Sequence, residues 1–226
     1  NPPGHRSSPA AGAPTAPPAH WHPAANRAAG QISELAIENA LRFDNKLWVF
    51  DVTAAQLKVL LEHSVASLGN QGRFPQVGGL AFSYDATRPA QVSSGATVTT
   101  AGQRIRSLRV GSDVVVRNGE LVGNQNRTFR LVTLSFLAGG GDGFPFPVEA
   151  SLPNLVKLEV SMTAATAAGP AVLPSTNPTA FGGEQDALAK YLRQFHTTTP
   201  FSMAEVPAAQ DTRIQNVAVR ADTVLN

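Results

Sequence analysis

The chain has 226 residues, of which 42% are hydrophobic and 15% charged, enough for one sizeable folded domain or two small ones. Its formal net charge is only +2 and its Lys and Arg residues are scattered, so a nucleic-acid footprint is not supported. It has no cysteine, which excludes disulfides, thiolate metal sites and a cysteine nucleophile, and no run of eighteen apolar residues that would span a membrane. Residues 1–29 are rich in Pro and Ala and read as a disordered arm without the charged-then-apolar pattern of a signal peptide. His20-Trp21-His22 lies inside that arm, where a solvated linker is the reading favoured over weak metal binding. Order is expected from about Gly30, with a helical apolar pattern over Ile32–Leu41 and a strand over Lys46–Val52. Thr53 then reads as an N-cap, with Gln56 three residues on completing a capping box. The helix that follows carries Leu57, Leu60, Leu61, Val65 and Leu68 on one face, and Gly69 is placed to end it.

Strands follow. Leu80, Phe82 and Tyr84 alternate with smaller or polar residues, and Ile105–Val110 and Val114–Val116 are runs rich in β-branched residues. Asn118-Gly119 predicts a two-residue hairpin turn joining Val114–Arg117 to Glu120–Val122. Phe129–Leu134 is a further strand that leads directly into a glycine-rich loop, and Val156–Met162 is another. Glu184–Phe195 predicts an amphipathic helix with Leu188, Tyr191, Leu192 and Phe195 on one face, and the last thirty residues are expected to wrap the surface. Helices and strands interleave without strict βαβ alternation, which places the chain in the α+β class.

Two loops stand out. In Phe136-Leu137-Ala138-Gly139-Gly140-Gly141-Asp142-Gly143-Phe144, glycines surround one carboxylate and an aromatic ring stands at each end. Such a loop can turn sharply and bring its backbone close to a ligand, and Asp142 can accept hydrogen bonds from a polyol or hold a cation. Gly72-Arg73-Phe74-Pro75-Gln76-Val77-Gly78-Gly79 places a second aromatic in a Gly- and Pro-punctuated turn. Phe74 and Phe136 could clamp a flat heterocycle, with Asp142 accepting from vicinal sugar hydroxyls; such stacking is worth roughly 1–3 kcal/mol per base. The same residues could equally be two core rings and a turn-capping carboxylate.

Asp51-Val52-Thr53-Ala54-Ala55-Gln56-Leu57-Lys58, Leu61-Glu62-His63-Ser64-Val65, Gly72–Gly79, Ser83-Tyr84-Asp85 with Thr87-Arg88-Pro89, and Phe136–Phe144 occur in that order. In this order they resemble the C-terminal domain of the 5'-nucleotidase / UDP-sugar hydrolase family, over about three quarters of the chain from Gly30 to Phe195. The resemblance implies a layered α/β/β/α fold with mixed sheets over residues 30–196, followed by a surface tail over 197–226. It implies a substrate-binding role, with Phe74 and Phe136 sandwiching the base, Asp142 on the ribose hydroxyls, and Gly140, Gly141 and Gly143 setting that carboxylate beside the ring. His63 falls in the family's Glu-His-Ser-Val motif, and its helical setting favours a structural hydrogen bond over catalysis.

The resemblance further implies a partner metallophosphatase domain, in cis or trans, that holds two divalent metals about 3.5–4 Å apart. No motif here supplies such a site, so no cofactor and no catalytic residue is assigned to this chain, and alone it is expected to hydrolyse nothing. Other departures bear on the substrate. The family's Asn-Gly-Gly-x-Arg motif is not formed ahead of Gly30-Gln31-Ile32-Ser33, leaving Arg27 as a poor substitute for its arginine. Pro75 replaces the usual Leu, and Gln91–Ala101 reads as an inserted surface loop. Family members imply a periplasmic or extracellular bacterial setting. The leading expectation is thus a nucleoside- or nucleotide-binding domain of a 5'-nucleotidase-type phosphoester hydrolase. The alternative is a non-catalytic surface or adhesion module that kept the fold. A separate serine-hydrolase chemistry is disfavoured, because no Gly-x-Ser-x-Gly elbow is present.

Overall fold

A computed structural model of the chain describes residues 30, 32–69, 71–158, 182–201 and 206–226. The chain divides into two units at Ile32/Ser33, and the elements below all belong to the second, Ser33–Asn226. The arm of residues 1–29, with His20, Trp21, His22 and Arg27, lies outside the described residues, as do residues 159–162 of the strand expected over Val156–Met162.

Helix α1 (Glu34–Ala40) is capped by Ser33, whose hydroxyl accepts from the Ala36 amide at 3.1 Å. Strand β1 (Leu47–Thr53) buries Trp48, Phe50 and Val52 on one face, the period-2 pattern of a half-covered strand. Helix α2 (Ala54–Ser64) opens with the expected capping box. Thr53 Oγ1 accepts from the Gln56 amide at 3.1 Å, and Gln56 Oε1 accepts from the Thr53 amide at 2.8 Å. The helix stops at Ser64 rather than running to Gly69. Ser64 Oγ donates to the Leu60 carbonyl, and the Arg104 guanidinium donates to the carbonyls of Val65 and Ala66, so a cation from another segment satisfies the acceptors that a further turn would have used. Gly69, at φ +96°, turns the loop beyond.

Strands β2 (Leu80–Tyr84), β3 (Val92–Ser94), β4 (Thr97–Thr100), β5 (Ile105–Val110), β6 (Asp113–Arg117), β7 (Glu120–Leu121) and β8 (Thr128–Leu134) follow. The expected surface loop over Gln91–Ala101 is instead the β3–β4 hairpin, with Gly95 at φ +54° in its turn. Asn118 and Gly119, both at positive φ, close the predicted β6–β7 hairpin. One helical turn, α3 (Ser135–Ala138), intervenes between β8 and the glycine loop. Strand β9 (Val156–Lys157), helix α4 (Glu184–Phe195) and strand β10 (Ile214–Asn216) follow among the described residues.

Among the described residues the strands form three sheets, ordered β8-β1-β9, β10-β2-β5-β6-β7 and β3-β4. The pairings are antiparallel except β10 with β2, which is parallel. Helix α2 packs on both β1 and β5 and so links the two larger sheets, and one apolar core runs through Phe50, Leu57, Leu61, Phe82, Ile105, Leu108 and Val116. The α+β class expected from the sequence is the one observed. In the C-terminal stretch expected on the surface, β10 is instead a sheet strand, with Gln215 and Val224 buried, because the β2 edge needs a partner. Strand β2 then lies between two strands, and Ala81 to Tyr84 are all buried instead of alternating.

Candidate functional site

Two loops that are far apart in sequence meet at the end of α2. The first, Gly72–Gly79, joins α2 to β2, and the Phe74 amide donates to the Gln71 carbonyl to start its turn. The Phe74 ring is half-buried against the core and meets Tyr84 edge-on, with centroids 6.1 Å apart. The second begins on α3, where Phe136 stands 52% exposed. It then reverses through Gly140 (φ +91°), Asp142 (φ +53°) and Gly143 (φ +73°). A carboxylate-bearing residue tolerates the left-handed region better than most, and here it projects Asp142 out of the turn.

The glycine backbone lies close to side chains of the other residues at two places. A Cβ at Gly141 would lie 2.5 Å from the Phe136 ring, so the ring rests directly on that backbone. A Cβ at Gly72 would lie 3.5 Å from Asp142 Oδ2, so the carboxylate sits against the first loop. Beneath both, His63 is buried and donates its Nε2 proton to the Asp142 carbonyl at 3.0 Å, while its ring packs on Phe144 with centroids 4.9 Å apart. Burial lowers the His63 pKa; the bond to Asp142 opposes this, the Arg73 cation adds to the lowering, and the Asp142 charge opposes it. The imidazole thus ties α2 to the backbone of the glycine loop.

An open cleft of about 680 Å³ runs between α2, the first loop and β8, lined by Leu57, Leu60, Phe74, Leu131, Leu137 and Phe144 among others. Phe74 lines it; Phe136 and Asp142 do not. Thus Asp142 is brought to the Phe74 loop, Phe136 is laid on Gly141, and the two rings make no contact with each other. Sequence reasoning missed Arg73, which also lines the cleft; its position beside Phe74 was the available signal. Among the described residues no three His, Asp or Glu side chains converge to hold a metal. No helix among the described residues is long and apolar enough to cross a membrane.

These loops, carried on an α+β scaffold, define a domain of the 5'-nucleotidase C-terminal type. Residues 19–149 match the family model described as the 5'-nucleotidase C-terminal domain, and the chain belongs to that family. It is 31% identical over 124 residues to a trifunctional nucleotide phosphoesterase protein of Bacillus subtilis, covering 54% of this chain and 8% of that one. It is 33% identical over 135 residues to a 5'-nucleotidase-related protein of Glossina morsitans morsitans, covering 58% of this chain and 22% of the relative. The chain therefore spans less than a quarter of the length of these relatives. The crystal structure of a 5'-nucleotidase precursor from Thermus thermophilus shares the fold, with a TM-score of 0.54 and 24% identity over 82% of this chain and 28% of that one.

Proposed function

We propose that this domain binds nucleosides or nucleotides as the substrate-holding part of a 5'-nucleotidase-type phosphoester hydrolase acting in nucleotide breakdown. The observation that carries the reading is the meeting of the two loops: the Asp142 carboxylate rests on Gly72, two residues from Phe74, while Phe136 rests on Gly141, the neighbour of Asp142. In this reading a base enters between the half-buried Phe74 ring and the exposed Phe136 ring, which swings from its rest on Gly141 to cover it. Asp142 then accepts from the ribose hydroxyls, and His63 keeps the Asp142 backbone in place. Stacking contributes roughly 1–3 kcal/mol per base.

The domain's task is binding and orientation. The two divalent metals belong to a metallophosphatase domain, in cis or trans, in a periplasmic or extracellular setting, and no step is assigned here to groups of this chain. Membership of a family of 5'-nucleotidase domains supports the reading. Calorimetric titration of adenosine into the chain tests it. Phe136→Ala and Asp142→Ala are each expected to weaken binding about tenfold or more, from loss of a stacking face or of a charge-assisted hydrogen bond. No heat up to millimolar adenosine with the wild-type chain would contradict the reading and favour a surface module that kept only the fold.

A further inference from the structure

Strand β8 is an edge strand, paired only with β1 among the described residues. In an antiparallel ladder alternate residues bond the partner strand, and the others turn their N–H and C=O groups outward. The Ser135 amide donates to the Lys46 carbonyl and the Ala54 amide to the Arg127 carbonyl, which sets the phase of this ladder. Phe129, Leu131 and Thr133 therefore face β1, and Arg130, Val132 and Leu134 face away. The outward amides and carbonyls take no partner among the described residues. Proteins usually cover such an edge or guard it with charge. The charged residue of β8, Arg130, instead turns its guanidinium to Asp51 at 3.1 Å, and Val132 stands 57% exposed.

This edge borders an apolar groove. The 680 Å³ cleft is lined by Leu131, Val132, Thr133 and Leu134, and a smaller space of about 140 Å³ by Phe129, Arg130, Leu131 and Val132. Neighbours on a strand point to opposite faces, so a space that touches an unbroken run of them follows the edge and not one face. Leu57 of α2 and Leu80 of β2 line both spaces. Together they follow β8 from Phe129 to Leu134, about 20 Å at roughly 3.3 Å per residue. Among the described residues no carboxylate lines either space, and the charged side chains are Arg73 and Arg130. Phe136 and Asp142, on which the nucleoside reading depends, line neither.

We propose that this groove binds an extended segment of a partner polypeptide, which adds to the β8 edge as a further strand. Its apolar side chains alternate, and it carries no lysine or arginine. An extended backbone offers N–H and C=O groups at the spacing of the β8 edge while its side chains pack beside Leu57 and Leu80. A compact apolar ligand would leave the edge groups covered and unpaired, which is costly. A basic segment would meet Arg73 and Arg130 with no acid in the walls to receive it. The proposal is independent of the nucleoside reading.

The probe is an acetylated and amidated Glu-Val-Thr-Val-Thr-Leu-Glu peptide, with a form N-methylated throughout as control. Calorimetry and residue-resolved amide exchange on the isotope-labelled 226-residue chain read its binding. Without peptide, the amides of Arg130, Val132 and Leu134 are expected to exchange freely while those of Leu131 and Thr133 are protected. Saturation with the peptide should slow the outward amides by about tenfold or more. The N-methylated form should not bind. Val132→Pro deletes one outward N–H where an edge strand tolerates proline, and should weaken binding about tenfold, the scale of one hydrogen bond. Melting curves check its fold, and if it does not fold, the exchange pattern and the N-methylated control decide. No binding up to millimolar peptide, equal binding of the N-methylated form, or full affinity in a folded Val132→Pro chain would overturn the proposal. So would outward amides already protected without peptide, since the chain itself, or a second copy if protection grows with concentration, would then cover the edge.

Discussion

At the scale of single residues, the site depends on small backbones beneath large or charged side chains. Gly141 is the sharpest case, because its missing Cβ is the space the Phe136 ring occupies. Gly141→Ala forces that ring to move. Phe136 is 52% exposed and can swing into solvent, so the change in stability is expected to stay within about 1 kcal/mol. Nucleoside affinity, in contrast, should fall by about tenfold, since the stacking face is displaced. Matched melting curves and titrations of the variant check both halves; unchanged affinity would mean that the resting place of Phe136 is irrelevant to binding. His63 acts one layer below. It touches the loop backbone and does not line the cleft, and its burial lowers its pKa.

At the scale of elements, α2 is the part that joins local signals to tertiary ones. Its start is written locally, in the reciprocal Thr53–Gln56 capping box, and was legible from four residues. Its end was not, because Arg104, placed just ahead of β5, supplies the terminating hydrogen bonds. The same junction buries Glu62, which accepts from the Arg104 and Ile105 amides at 2.9 and 3.1 Å and from Lys58 Nζ at 3.2 Å. A Cβ at Gly102 would lie 2.4 Å from Glu62 Oε2, and the carboxylate is too firmly held to retreat. Gly102→Ala is therefore expected to cost about 1–3 kcal/mol of stability, the scale of an overpacked site, and chemical denaturation measures it. The Asn118-Gly119 hairpin was legible for the same reason as the capping box: its backbone requirement is met by two adjacent residues. The β3–β4 hairpin was not, since its short strands are exposed and carry no apolar alternation. In the site, the unusual chemistry of Asp142 among glycines was visible in sequence. The place of Arg73 at the edge of an apolar cleft was hidden, because that cleft exists only once α2, β8 and the first loop are packed.

At the scale of the whole molecule, the domain joins two sheets through one helix and closes the larger sheet with its C-terminal stretch. Ser83, fully buried in β2, donates to Asp222 at 2.5 Å and accepts from the Ser107 amide at 3.0 Å, so the tail completes a polar network inside the sheet. Gln215 adds bonds to the Thr212 carbonyl and the Thr223 amide. Truncation before Asp211 removes β10, the buried Val224 and the Asp222 partner of Ser83. Loss of a fully buried valine alone is worth about 1.5–3 kcal/mol, so the truncated chain should melt several degrees lower. An unchanged melting temperature would show that the tail is dispensable. The central claim concerns the two loops at the end of α2, whose two rings and carboxylate we propose hold a nucleoside. Intermolecular NOE spectroscopy on the chain saturated with adenosine tests it most directly. Contacts are expected from the base protons to the rings of both Phe74 and Phe136, and from the ribose H2' and H3' to the Asp142 side chain. Base contacts confined to one ring, or no contact to either, would contradict the clamp.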